Sequence, residues 1–311
     1  MTFLSILCVL VLEQFKASPA VGIQSWLNAI AARLERRFNG GERRHGRAAW
    51  MAAVVLPVLA VLVVQIVLER LHPLLALAFD VAVLYLVVGF RQFSHYFTDI
   101  HMALRMGEIE RARQLLTEWR GRAAERLGST QIARLAIEQG IVSSHRHVFA
   151  PLFWFMVFGP AGAVLYRLAL GMWQAWADAC GPGEDGRSGE FGCFAGQAFQ
   201  ALDWLPARLT ATTFAVVGDF EDAVFCWRTQ ARQWGDEATG ILLASGAGAL
   251  GIRLGQPLPD VAGDIEARPE MGLGDDVDVE HLQSAVGLVW RALVLCLLLL
   301  ALLTLANWVG G

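Results

Sequence analysis

Two histidines flank an arginine at His145, Arg146 and His147, directly ahead of an apolar run with no further ionisable side chain until Tyr166 and Arg167. Imidazoles this close in sequence offer metal ligands, or with the arginine a seat for a phosphate. On a helix, positions i and i+2 do not face each other, so the trio reads better as an interfacial anchor than as a metal centre, with His145 kept as a ligand-binding candidate. Arg167 and Arg208 both fall inside apolar stretches, where arginine ordinarily pairs with a carboxylate or binds an anion. The carboxylates available inside the protein are Asp80, Glu138 and Asp203. A structural ion pair and a ligand site are both open readings. Asp80 lies near the middle of its apolar run, where an ionised carboxylate costs about 2.5–3.5 kcal/mol. It must face protein or be protonated, and serves either as a site or relay residue or as a hydrogen-bonded packing residue.

Other chemistries are excluded. There is no Ser-His-Asp or Cys-His arrangement to support nucleophilic catalysis, and no G-x-x-x-x-G-K-[ST] phosphate loop. The cysteines, at 8, 180, 193, 226 and 296, show no C-x-x-C spacing, which removes zinc ribbons and thioredoxin-like motifs. Neither a metal site nor a resident cofactor is expected.

The elements that position these groups must be membrane helices. The 311 residues are 55% hydrophobic and only 17% charged, with a mean hydropathy of +0.46, too apolar for an ordinary soluble domain. The net charge of −4 conceals arginines gathered in a few segments beside a single lysine, Lys16, so nothing argues for nucleic acid. The fold class expected is all-α: a polytopic helical membrane protein of about five spans plus short or broken helices, with a small helical cytoplasmic lobe.

In order, residues 1–90 form an N-terminal membrane region. Met1–Leu12 is short for a span and lacks the flanks of a secretory signal. Trp26, Leu27, Ile30 and Leu34 give an amphipathic helix over Ile23–Phe38, and the arginines from Arg33 to Arg47 mark the cytoplasmic side before the span Ala48–Leu68. Pro57 is a candidate kink. Pro73–Phe90 returns inward. Residues 91–147 are a cytoplasmic helical segment, with one helix over about Glu108–Leu127 (Ile109, Leu115, Leu116, Trp119) and another carrying Ile132, Leu135 and Ile141.

Residues 148–255 form a core membrane region. Pro151, Gly159, Pro160 and Gly162 predict a broken helix packed inside a bundle. Residues 174–200 read as a periplasmic loop, where Cys180 and Cys193 are open to either a disulfide or free thiols. A shorter span follows over Ala201–Val217, then an amphipathic stretch over Asp219–Glu237. The small residues of Gly240–Gly255 predict close packing between helices rather than exposure to lipid. An acidic connector (256–285) precedes a C-terminal transmembrane helix (286–311), whose Arg291 can snorkel.

At APLFWFMVFGPAGAVLYR, DWLPARLTA and AGALGIRLG the chain resembles the CobD/CbiB family of membrane-embedded adenosylcobinamide-phosphate synthases. FRQFSHYF and LRMGEIERARQLL extend the likeness over roughly Arg91–Gly255. The resemblance implies an integral inner-membrane, multi-pass bacterial protein. The family archetype joins an aminopropanol unit to adenosylcobyric acid through an ATP-dependent amide bond. Glu138 fits the first glutamate of the family pattern. Val142, Ser143 and Arg146 stand where the pattern implies glutamate, asparagine and aspartate, and Leu170 and Trp173 where it implies asparagine and aspartate. Gln197, Ala198, Phe199 and Gln200 stand where it implies arginine, leucine and two aspartates.

Such departures, with MTFLSILCVLVLEQF at the N-terminus, imply an AmpE-like, non-ligase branch: a regulatory or sensor protein binding near Glu138, His145, Arg167, Asp203 and Arg208. The partners implied are the lipid bilayer, a corrinoid or cell-wall-related small ligand, and a membrane protein partner. The alternative is an active synthase using Mg-ATP, with acidic groups drawn from Asp203, Asp219, Glu221, Asp222, Asp236 and Glu237. A membrane scaffold with no polar pocket is a third reading.

Overall fold

The computed structural model describes residues 2–15, 20–38, 43–88, 90–182, 188–259 and 265–310. Lys16, the linker 39–42, residues 183–187 of the glycine-rich loop and residues 260–264 of the acidic connector lie outside them. The described chain is helical: α1 (Thr2–Phe15), α2 (Ala20–Phe38), α3 (Arg43–Trp50), α4 (Leu56–Leu71), α5 (Pro73–Val87), α6 (Phe90–Arg105) and α7 (Ile109–Arg120) lead to α8 (Ser129–Ser144). Then follow α9 (Ala150–Ala175), α10 (Cys193–Val217), α11 (Phe220–Gln230), α12 (Glu237–Leu250) and α13 (His281–Gly310). Wide π turns at Met51–Val55 and His145–Phe149 carry α3 into α4 and α8 into α9.

By length and composition, three described helical runs can cross a membrane: Arg43–Leu71, Ser129–Ala175 and His281–Ala306. Phe3–Glu13, Pro73–Val87 and Glu237–Leu250 are shorter apolar helices. The protein is thus an all-α membrane type, with two of its expected spans altered. At 15 residues, α5 extends only about 22 Å against a hydrocarbon core of about 30 Å. Ala201–Val217 is the second part of the longer α10, whose Asp203, Arg208 and threonines dilute its hydropathy.

The chain divides into two compact units, one of Met1–Gly89 with Arg146–Leu205 and one of Phe90–His145 with Pro206–Gly311. In the first, α9 is the central element, touching α1, α2, α4 and α5. Leu27 and Ala31 of α2, Trp50 and Val54 of the α3–α4 run, Tyr166 and Leu170 of α9, and Trp176 make one core. Trp176 is wholly buried, and its Nε1–H donates to the Ala31 carbonyl at 3.2 Å. Trp26, expected on the buried face of α2, is 61% exposed, because Leu27 and Ala31 occupy the contact face.

The break foreseen in α9 is real. Phe158 (φ −125°, ψ 16°) and Gly159 (φ 63°, ψ −153°) leave helical geometry immediately before Pro160, whose ring forbids a regular helix there. A Cβ on Gly159 would lie 2.8 Å from the Gln65 side-chain amide of α4. Gly159→Ala is therefore expected to destabilise the protein by about 1–3 kcal/mol through left-handed strain and contact with Gln65, read as a drop in detergent-solubilised melting temperature. Cys180 and Cys193 form a disulfide. Cys193 also opens α10, so the expected loop 174–200 already turns helical at its end.

In the second unit, α6, α7, α12 and α13 pack on α8, which buries Ile132, Leu135 and Ile141 as the sequence spacing predicts. The helix expected to run to Leu127 stops at Arg120 because Gly121 turns left-handed (φ 68°). Asp219 and Asp236 cap α11 and α12, accepting from Asp222 N and Thr239 N. Every residue of α12 from Gly240 to Ala249 is buried. A Cβ on Gly248 would meet the Asp222 carbonyl at 2.5 Å, so the small residues do bring α11 and α12 into backbone contact. The connector is more ordered than its composition predicts: Ile252–Arg253 pairs in parallel with Asp275–Asp276, and Leu258–Pro259 antiparallel with Ile265–Glu266.

Candidate functional site

Glu138 is the centre of a buried charged cluster in the second unit. It projects from α8, and a chain segment following α12 is held against it. Gly251 ends α12 in the left-handed conformation (φ 65°). Ile252 and Arg253 then pair with Asp275 and Asp276, while Leu254 and Met271 exchange backbone hydrogen bonds at 2.7 and 2.9 Å. Thus fixed, Gly255 (φ 74°) donates its N–H to Glu138 Oε1 at 2.9 Å, and Gln256 also holds a positive φ of 63°. Left-handed backbone at a non-glycine residue costs about 1–3 kcal/mol and persists only where surrounding contacts over-determine it.

The other Glu138 oxygen accepts from Arg268 Nη2 in a short, charge-assisted contact. The two side chains are 8% and 10% exposed. Arg268 also lies over the Trp234 ring, 5.0 Å from its centroid. Arg134, one turn earlier on α8, is 6% exposed. Arg253 bridges toward Glu270 (3.5 Å) and Asp276 (3.4 Å), both at least half exposed. Among the described residues the buried members are therefore two arginines and one glutamate, an excess of positive charge. Among the described residues, Arg268 Nη1 and Arg134 Nε are buried donors without an acceptor. Desolvated guanidinium donors left over in this way fit an anion, and planar Arg groups match phosphate and carboxylate oxygens best.

Magnesium entering with nucleotide phosphates is the cation that the resemblance implies. Among the described residues no three His, Cys, Asp or Glu side chains gather as a metal cage. A cage is not needed, since Mg²⁺ is commonly held by one or two carboxylates plus substrate phosphates. Glu270 and Asp276 beside Arg253 fit that lesser role; the acidic groups anticipated from the sequence do not supply it. Asp219 and Asp236 are spent as helix caps.

The remaining expected residues separate. His145 is fully buried, its Nδ1 2.9 Å from the Thr210 hydroxyl in the second unit. In the first unit, Arg167 donates to His147 Nδ1 at 2.6 Å. The two histidines thus face different partners, as their spacing predicts. Tyr166 donates its hydroxyl to Asp203 Oδ1 at 2.7 Å. Arg146 lies 4.9 Å over the Trp173 ring, which stacks on Phe199 with centroids 4.7 Å apart. Arg208 was expected to be buried beside Asp80, Glu138 or Asp203. It is partly exposed instead, bonding Glu237 at 2.7 Å, because the partner that reaches it comes from the first turn of α12. A pair this exposed contributes about 0–1 kcal/mol. Asp80 does face protein, 8% exposed, with no hydrogen-bond partner for Oδ1 among the described residues.

Sequence reasoning missed Arg134, Arg253 and Arg268. Arg134 was detectable as a second charge four residues before Glu138 on an otherwise apolar helix. Arg253 sits in a block valued only for its small residues. Arg268 carries no local signal.

The family profile described as "CobD/Cbib protein" matches residues 7–289. A protein of Stutzerimonas stutzeri named "Cobalamin biosynthesis protein CobD" is 34% identical over 308 residues, 96% of each chain. One of the same name from Chromobacterium violaceum is 37% identical over 221 residues, 71% of this chain and 69% of the other. Another from Photorhabdus laumondii is 28% identical over 291 residues, 90% and 88% of the two chains. No solved structure gives a significant match. These matches lend no support to an AmpE-like, non-ligase branch and strengthen the cobalamin side of the resemblance. With a family match over most of its length, and a relative aligned across nearly all of it, the chain belongs to the CobD/Cbib protein family.

Proposed function

We propose that this protein is a working amide ligase of cobalamin assembly, joining an aminopropanol unit to adenosylcobyric acid at the expense of ATP. The observation that carries the reading is the pair of buried guanidinium donors at Glu138, on Arg268 and Arg134, that have no acceptor among the described residues. An ATP-dependent route to an amide transfers the γ-phosphoryl group to the carboxylate, releasing ADP; the amine nitrogen then bonds the acyl carbon, loses a proton, and inorganic phosphate leaves. What a protein adds to phosphoryl transfer is mainly positioning and positive charge. Arg134 and Arg268 supply fixed donors for phosphate oxygens. Arg253, Glu270 and Asp276 stand at the open side, and the carboxylates there can share a magnesium ion brought in on the phosphates. Glu138 holds Arg268 in place, and the Gly255 N–H holds Glu138.

Arg146, Trp173 and Phe199, which pointed to a non-catalytic relative, stack on one another in the first unit, and the buried charged cluster at Glu138 belongs to the second. A polar cluster of this kind also speaks against a purely structural scaffold. The protein is placed in the bacterial inner membrane as a multi-pass protein, with the basic stretch before α4 cytoplasmic and the Cys180–Cys193 disulfide periplasmic. Its partners are the bilayer and a corrinoid substrate.

The test is turnover by the purified full chain in detergent with adenosylcobyric acid, aminopropanol or its phosphate, and Mg-ATP. The expected result is an ATP-dependent amide product by mass spectrometry, lost in Arg268→Ala together with Arg134→Ala. Absence of product from folded protein with every substrate present would overturn the ligase reading.

A further inference from the structure

Away from the Glu138 cluster, α6 and the first turns of α13 enclose a groove of about 240 Å³. Its rim is polar, with Thr98, His101 and Arg105 on one side and Gln283 on the other, and its floor is Phe97, Leu282 and Val286. Among the described residues no carboxylate lines it. Arg105 and His101 form no ion pair among the described residues. Burial first, and the neighbouring guanidinium of Arg105 second, hold the His101 imidazole below its ordinary pKa, so at neutral pH Arg105 carries the positive charge of the groove and His101 serves as a neutral hydrogen-bonding group.

The groove opens onto apolar surface. Gln283 and Val286 begin a ridge of α13 that continues at helical spacing through Trp290, Val294 and Leu298, which are 42%, 56% and 51% exposed. This ridge belongs to the run His281–Ala306, one of the three able to cross a membrane. A cationic, hydrogen-bonding pocket at the head of a membrane-length apolar ridge has the shape of one amphiphile, with an anionic head and hydrocarbon tails. Trp290 stands one turn below the pocket, where indole rings favour the interface between headgroups and acyl chains.

We propose that this groove seats the phosphate headgroup of an anionic membrane phospholipid. Arg105 bonds the phosphate, Thr98, His101 and Gln283 bond the remaining headgroup oxygens, and an acyl chain lies along Val286, Trp290, Val294 and Leu298. The site is separate from the ligase reading and stands or falls without it.

Native mass spectrometry of the full chain, titrated with phosphatidylglycerol, phosphatidylcholine or inorganic phosphate, tests it. The expected result is one phosphatidylglycerol retained at least about tenfold more tightly than phosphatidylcholine, which also carries a phosphate but no net charge. Arg105→Ala should weaken that retention about tenfold, Gln283→Ala less, and Arg105→Lys should restore most of it. Inorganic phosphate at the same concentration should not displace the lipid. Equal retention of the two lipids, unchanged retention in Arg105→Ala, or displacement by inorganic phosphate would each overturn the proposal, the last by making this a soluble-anion site. Since Arg105 is exposed, the alanine variant is expected to fold; if it does not, Gln283→Ala and Arg105→Lys decide the matter by the same readings.

Discussion

Glu138→Ala is expected to lower stability by about 3–5 kcal/mol, because it leaves a buried guanidinium without its counter-charge. The pair it breaks is almost fully enclosed, at 8% and 10% exposure, so water cannot repair the loss as it can at Arg208 and Glu237. The Gly255 N–H loses its acceptor in the same step. Glu138→Gln keeps an acceptor for Gly255 but not the charge, and should fall between alanine and the native protein. Replacing both partners, as Glu138→Leu with Arg268→Met, should recover only part of the stability and none of the activity, since it removes the Arg268 donors with the broken pair but leaves Arg134 buried without its counter-charge. Melting temperatures in detergent and amide-forming turnover, measured side by side, separate the two effects. For a variant that still folds, misplacing Arg268 by an ångström should reduce turnover about 100-fold. Equal melting temperatures for native protein and Glu138→Ala would show that the ion pair does not anchor the segment.

Gly255→Ala should be nearly as damaging, for a backbone reason. The residue holds φ 74°, and a Cβ there would lie 1.9 Å from the Pro269 carbonyl oxygen. Left-handed geometry alone costs an alanine about 1–2 kcal/mol. The overlap then forces the segment away from Pro269, drawing the N–H off Glu138. Gly251 is the internal control: it is also left-handed (φ 65°), but a Cβ there meets nothing within 4 Å, so Gly251→Ala should cost only about 1–2 kcal/mol. Thermal unfolding of the two variants tests the difference. If they are equally destabilised, the close approach to Pro269 is not what holds the loop.

The sequence made legible whatever depends on local pattern. Gly159-Pro160 announced the break in α9, and the run of glycine and alanine in α12 announced its burial between α8 and α11. Glu138 could be singled out as a lone acid on an apolar helix. Its partner could not, since Arg268 is 130 residues away in sequence and sits in an acidic connector that reads as loop. The short strand pairing at Ile252–Arg253 and Asp275–Asp276 that brings the two together is too brief to leave a periodicity. Arg208 misled for the same reason: depth in an apolar stretch predicted burial, whereas Glu237, the first residue of α12, draws it toward solvent. The inference of an inactive branch weighed which residues stood at expected positions without knowing which ones touch, and relatives named for cobalamin biosynthesis lend it no support.

Complementation tests most directly whether this chain performs the amide-forming step of cobalamin assembly. The full chain would be expressed in a bacterium lacking its own synthase and assayed for growth that depends on making the vitamin, with membrane insertion checked by immunoblot. Restored growth, abolished by Glu138→Ala and by Arg134→Ala with Arg268→Ala, is the predicted result. No growth from protein that is present and folded in the membrane would contradict it.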